Sequence, residues 1–173
     1  METPNIYLEK FISKVIELGY TIRQERDNTF SLKLNEVNSC EIKIRLIVSE
    51  PIERRHGSAN NTEIKAIGYF KYKILPEDRE PHFYVFSFNN KSDNRIEFVI
   101  IPFNELKNRL DLSDCVMQNL QETELILWLL PDDYLFEATQ ISIEGDWWFI
   151  AGRMAKNTHW DYTSFLNRWE VLQ

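Results

Sequence analysis

The sequence predicts an α/β or α+β domain with a mixed, largely antiparallel central sheet flanked by helices. Three observations predict it. Apolar residues near the N-terminus recur at helical spacing, Tyr7, Phe11, Val15 and Leu18 lining one stripe. Two segments, Thr29 to Asn35 and Glu41 to Val48, alternate apolar and polar residues with period two. Two further runs, His82 to Phe88 and Arg95 to Ile101, are apolar in both phases, as strands covered on both faces are.

The first helix is bounded by Thr3-Pro4-Asn5, which supplies a cap and an early proline, and by Gly19. In the first strand Phe30, Leu32 and Leu34 face inward against Ser31 and Lys33; in the second, Ile42, Ile44, Leu46 and Val48 oppose Glu41, Lys43 and Arg45. Pro51 to Thr62 reads as a polar loop before a third strand within Glu63 to Leu75. A turn at Pro76 to Pro81 leads into the two doubly apolar runs, which are expected to be central in the sheet. Pro102 ends the second run, and Asn104 is placed to cap a short helix through Leu110 that carries Leu106 and Leu110 inward. Beyond it, Ser113 to Leu130 is expected to hold helical pieces, Gln140 to Ile143 and Trp147 to Ala151 strands, and Tyr162 to Leu172 a terminal helix capped by Asp161 or Thr163.

Composition bounds the class. A chain of 173 residues, 43% hydrophobic and 27% charged, suits one domain spanning 1–173. Eleven Phe, seven Tyr and five Trp beside five Gly argue for dense packing rather than disorder. Nothing approaches the roughly 20 apolar residues of a membrane span, and no basic, greasy leader opens the chain, so the expectation is a cytoplasmic protein with no membrane contact. Cys40 and Cys115 have no CxxC partner, and His56, His82 and His159 have no metal-binding spacing. Trp147, Trp148, Trp160 and Trp169 read as a second hydrophobic cluster.

Charge is segregated within a net of −7. Glu41 to Lys73 carries seven basic residues against four acidic ones, whereas Asp111 to Ile150 carries nine acidic residues and no Lys or Arg. The first segment, together with Lys33 of the preceding strand, gives the sheet a basic, polar face made of Lys33, Lys43, Arg45, Lys71 and Lys73, with Tyr69 available for stacking on bases. The second predicts an acidic surface suited to a basic partner.

Glu-Ile-Lys occurs twice, at Glu41-Ile42-Lys43 and Glu63-Ile64-Lys65. On a strand, acid and lysine at this spacing share a face about 6–7 Å apart. The order of helix, three strands and a strand pair over residues 5–110, together with the Glu41-x-Lys43 pattern, resembles the PD-(D/E)XK, or restriction-endonuclease-like, superfamily. The resemblance implies a nuclease-like core followed by an acidic, aromatic section at 111–173. It also implies that a strand acid and the ExK carboxylate hold Mg²⁺ while the lysine stabilises developing charge.

The strand acid is the element that sequence does not supply. A register with Leu34 opposite Ile42 sets Lys33 beside Lys43 and Asn35 beside Glu41; Asp27 is then too far away and Glu36 is left. Pairing the third strand with the second brings Lys71 beside Lys43, Lys73 beside Glu41, and Glu50 toward Glu63 and Lys65. The candidate catalytic residues are therefore Glu41, Lys43, Glu63 and Lys65, and the candidate metal ligands Glu36, Glu41, Glu50 and Glu63. The leading expectation is a noncatalytic or degenerate nuclease-like subunit without a cofactor, binding a protein or nucleic-acid partner in a larger assembly. A Mg²⁺-dependent endonuclease and an acidic inhibitor or immunity-type protein are the alternatives.

Overall fold

The computed structural model describes residues 5–26, 28–34, 40–51, 64–73, 81–112, 123–138 and 160–172. It is an α+β fold whose principal sheet is mixed and mostly antiparallel, as the sequence predicts.

Helix α1 (Ile6–Glu17) begins where the Asn5 side chain accepts a hydrogen bond from the Leu8 N–H at 3.3 Å. It ends at Gly19, whose φ of +88° is the left-handed turn that a glycine adopts without steric cost. The chain reverses directly into β1 (Tyr20–Gln24), a strand the sequence reading did not assign. Its signal is present, since Tyr20 and Ile22 alternate with Thr21 and Arg23, but five residues give a short pattern.

β1 pairs with β2 (Thr29–Leu34), and β2 with β3 (Glu41–Val48), both antiparallel. The β2–β3 register differs by two residues from the expected one: Lys33 lies opposite Glu41 and Ser31 opposite Lys43. A two-residue slip keeps every side chain on its face, so burial fixes phase but not register. β3 then pairs in parallel with β5 (Phe83–Asn90), which forms a hairpin with β6 (Arg95–Pro102). β5 is interior, as predicted, but β6 is an edge strand. The returning chain covers part of that edge through a bridge from Val99 to Leu166. Helix α2 (Phe103–Leu112) follows at once and buries Leu106.

The predicted third strand, β4 (Ala66–Tyr72), does not join β3. It pairs over seven residues with β7 (Thr123–Leu129), which in turn pairs with β8 (Leu135–Glu137), in a second, three-stranded sheet. The run around β7 was expected to be helical. An unbroken apolar run buries equally well in either form, and here Leu125 and Leu127 face β5 while Ile126 and Trp128 face outward under further cover. Tyr162 to Leu172 is likewise not a helix. It forms two 3-10 turns, Thr163–Phe165 and Trp169–Leu172, separated at Asn167, which adopts φ 51°. The Asn167 N–H donates to the Phe98 carbonyl and its side-chain oxygen accepts from the Phe98 N–H. The helix that Asp161 or Thr163 was expected to cap is absent, and the N-cap of the first turn is Tyr162; the Asp161 carboxylate accepts from the Thr163 N–H at 3.0 Å.

Two cores result. Phe11 and Val15 of α1 pack with Phe30, Leu32, Ile44, Val85, Phe98 and Trp169 on one face of the five-stranded sheet. On the other face Tyr84, Phe86, Phe88 and Val99 meet Phe70, Tyr72, Leu125 and Leu127 of the second sheet. Among the described residues that second core takes Ile47 from β3 and none from β1 or β2, so it does not extend over the polar side of β1 and β2. Trp169 lies in the first core and Trp160 is partly exposed, so these two tryptophans do not join one cluster; Trp147 and Trp148 lie outside the described residues. So do the expected strands at 140–143 and 147–151. Among the described residues no helix is long and apolar enough to cross a membrane.

Candidate functional site: the polar half-face of the main sheet

Alternation along three neighbouring strands projects Arg23, Ser31, Lys33, Glu41, Lys43 and Arg45 to the polar side of the main sheet, where Arg23, Lys33 and Glu41 are exposed and Ser31 is buried. Glu25, just beyond β1, joins them. Arg23 organises the group: its Nη2 lies 3.3 Å from Glu25 Oε1 and 3.2 Å from Glu41 Oε1, so two carboxylates converge on one guanidinium nitrogen. The Ser31 hydroxyl donates to the same Glu25 oxygen at 2.6 Å. That bond, aided by the charges of Lys43 and Arg23, holds the Glu25 carboxyl below its usual range against the opposing effect of burial.

Lys43 and Arg45 are fixed through the backbone. The Lys43 N–H donates to His82 Nδ1 at 2.9 Å. Arg45 donates to the Lys73 carbonyl, and its guanidinium sits 6.0 Å from the centre of the Tyr84 ring. The face carries Arg23, Lys33, Lys43 and Arg45 against Glu25 and Glu41, an excess of two positive charges on a chain of net −7.

The structure divides the other predicted site residues. Glu41 and Lys43 share the face as their spacing requires, but Glu36 and Glu63 lie outside the described residues. Glu50 and Lys65 are not brought together. The Glu50 N–H donates to the Tyr69 carbonyl at 2.8 Å, which sets it four residues along β4 from Lys65, roughly 13 Å by strand rise. Lys65 instead faces Asp133 at 3.4 Å and Asp93 at 3.8 Å.

Tyr69 and Lys71 project from the outer face of the second sheet. There the Tyr69 hydroxyl donates to Glu124 at 3.0 Å, and the Lys71 ammonium lies 3.8 Å from Glu124 and 5.5 Å from the Tyr69 ring. The hydrogen bond to Tyr69 and the charges of Glu124 and Glu50 hold the Lys71 ammonium above its ordinary value. The predicted basic face is thus split, because β4 left the sheet that was expected to contain it.

Three described acids of the predicted acidic surface are engaged, Glu124 as above, Asp133 with Lys65 and Arg95, and Glu137 buried beneath Tyr162, while Asp132 is exposed. Among the described residues, no group of three or more His, Cys, Asp or Glu is placed to hold a metal ion. Sequence reasoning missed Arg23 and Glu25 because it missed β1; the alternation of Tyr20 to Arg23 was the available signal. No family model matches the chain, and no curated protein or solved structure is found to be similar to it.

The contact between Ser31 and Glu25 is directly testable. A carboxyl depressed in the folded state adds stability above its unfolded pKa, and that stability is lost as pH falls through the folded value. Ser31→Ala is expected to raise the Glu25 midpoint in a carbon-detected NMR titration, to lower stability at neutral pH and to shrink the part of it that is lost on acidification. An unmoved midpoint would assign the depression to Arg23 and Lys43 instead.

Proposed function

We propose that this chain is a noncatalytic, nuclease-like subunit that binds a negatively charged protein or nucleic-acid partner through the polar half-face of β1–β3. The observation that carries the reading is the set of cationic side chains Arg23, Lys33 and Lys43 on the polar face of β1–β3, with Arg45 beside them, held against the Lys73 carbonyl. Lys43 and Arg45 are two residues apart on one strand, about 6–7 Å, a spacing that suits successive phosphates of an extended backbone. Arg23 lies between the Glu25 and Glu41 carboxylates and offsets one of their two negative charges within the chain. The nuclease-like description rests on the Glu41-x-Lys43 pattern and on the order of elements read from the sequence, to which the structure adds β1 and from whose sheet it removes β4.

The same arrangement favours one second reading. Glu25, Glu41 and Lys43 form an acid, acid, lysine set on one face, the residue types a Mg²⁺-dependent endonuclease needs.

A labelled 20-base-pair DNA duplex and the corresponding single strand separate these readings. Binding through three or four phosphates is expected to weaken about 40- to 150-fold between 50 and 200 mM salt. The Lys33→Glu/Lys43→Glu double variant is expected to abolish it while the chain stays folded, with some loss of thermal stability because both substitutions set a carboxylate beside Glu41 or Glu25. Binding unchanged by that double reversal removes the half-face from consideration. Cleavage of the duplex in Mg²⁺ that disappears in Lys43→Ala transfers the reading to the enzyme.

A further inference from the structure

At the opposite end of the main sheet, a cleft of about 570 Å³ runs between α1, the β5–β6 turn and the outer edge of β6. Its volume lies in the range of sites that take ligands. Tyr7, Lys10 and Lys14 form one wall, Asn94 closes the turn end, Trp169 closes the other, and Ile96 lies along the edge.

Main-chain direction along β6 shows what this edge offers. The Phe98 N–H and C=O point away from β5 and are both taken by Asn167. Groups two residues apart on a strand point the same way, so the N–H and C=O of Ile96 also point outward, into the cleft. The returning segment that covers β6 at Phe98 and Val99 turns off at Asn167, and no described residue outside the β5–β6 pairing is seen hydrogen-bonded to the Ile96 main chain. Polar main chain at a strand edge is a template for an added strand.

Charge selects the occupant. Lys14 is paired with Glu17 at 3.0 Å, and Arg95 with Glu97 and Asp133, whereas Lys10 has no ion-pair partner among the described residues. The lining therefore carries a net positive charge within an acidic chain. We propose that this cleft receives an extended acidic segment of a partner polypeptide, which adds to β6 by hydrogen-bonding Ile96 and sets a carboxylate against Lys10. This is the strand-addition mode of peptide recognition, in which main-chain bonds supply affinity and side-chain contacts supply selectivity. The site is independent of the polar half-face, since β6 lies two strands from β3, roughly 10 Å across the sheet.

The test uses the full chain, ¹⁵N-labelled, and an acetylated, amidated pentapeptide alternating glutamate and valine, with lysine replacing glutamate in the control. The expected result is a dose-dependent shift of the Ile96 amide and the Trp169 indole, with the lysine peptide binding more weakly. Lys10→Glu, at an exposed helix position, is expected to weaken the glutamate peptide at least fivefold while leaving the spectrum of the free protein otherwise intact. An unmoved Ile96 amide at millimolar peptide, equal binding of the two peptides, or unchanged affinity in Lys10→Glu would each overturn the proposal.

Discussion

Truncation of Phe70 to Ala is expected to destabilise the protein by about 3–5 kcal/mol, read as a lower urea midpoint at unchanged m-value. Phe70 is fully buried between the sheets, its ring 5.1 Å from that of Phe86 and 6.3 Å from that of Phe88, in edge-on contact with both. The ring lies over Gly68: a Cβ there would come within 2.6 Å of Phe70 Cε2 and 3.2 Å of Phe88. Glycine at this position makes the room that the ring fills. β4 is held to β7 over seven paired residues, so the backbone has little freedom to collapse into the cavity. The upper part of the range follows.

The same geometry predicts a change in the cost of a second substitution. Gly68→Ala alone overpacks the ring and is expected to cost about 1–3 kcal/mol. In the Phe70→Ala background the added methyl meets empty space and only the Phe88 contact remains, so the cost should fall to near zero. Additive behaviour would mean that the ring does not cover Gly68. A loss below about 1.5 kcal/mol for Phe70→Ala would mean that the second sheet is not packed through this side chain.

How far the sequence reveals this protein depends on which physical quantity is asked of it. The limits of β3 agree with the reading because Ile42, Ile44 and Leu46 bury one face while Glu41, Lys43 and Arg45 do not, and period two is an unambiguous signal. The cap at Asn5 and the stop at Gly19 are equally local. Partner choice is not local. β4 buries Ala66, Phe70 and Tyr72 whether it extends the first sheet or begins a second, and only the run at Leu125 to Leu129 decides between them. That run carries no helical or strand period of its own.

The candidate site inherits these limits. Lys33, Lys43 and Arg45 are recognisable as one face from phase alone, and the structure keeps them together. Tyr69 and Lys71 have the right phase on the wrong sheet. Arg23 and Glu25, which decide the charge state around Glu41, depend on a five-residue strand whose pattern is weak in isolation.

The second large effect is expected at Glu97. Its side chain is fully buried, and each of its oxygens is committed to donors: Oε1 accepts from Asn90 Nδ2 at 2.8 Å and from Arg95 Nε, and Oε2 from Asn167 Nδ2 at 2.7 Å. Glu97→Gln preserves shape but supplies one acceptor oxygen and one –NH₂. Whichever way the amide is turned, its –NH₂ faces a donor, either Asn167 or the Asn90 and Arg95 pair. Arg95 is half exposed and can turn to water, but Asn90 is fully buried. The expected cost is about 2–4 kcal/mol, the desolvation penalty of groups left unpaired rather than the worth of one bond. Asn167→Ala in the Glu97→Gln background removes the donor facing the new amide, so the double variant should be more stable than the sum of the two single losses by at least about 1 kcal/mol. Asn167 also holds Phe98, and Trp169 beyond it packs 5.1 Å from the Phe98 ring, so the single Glu97→Gln loss should appear as exposure of Trp169 fluorescence before global unfolding. Strict additivity, or a loss under about 1 kcal/mol, would show that Glu97 is not the acceptor joining the hairpin turn to the C-terminal segment.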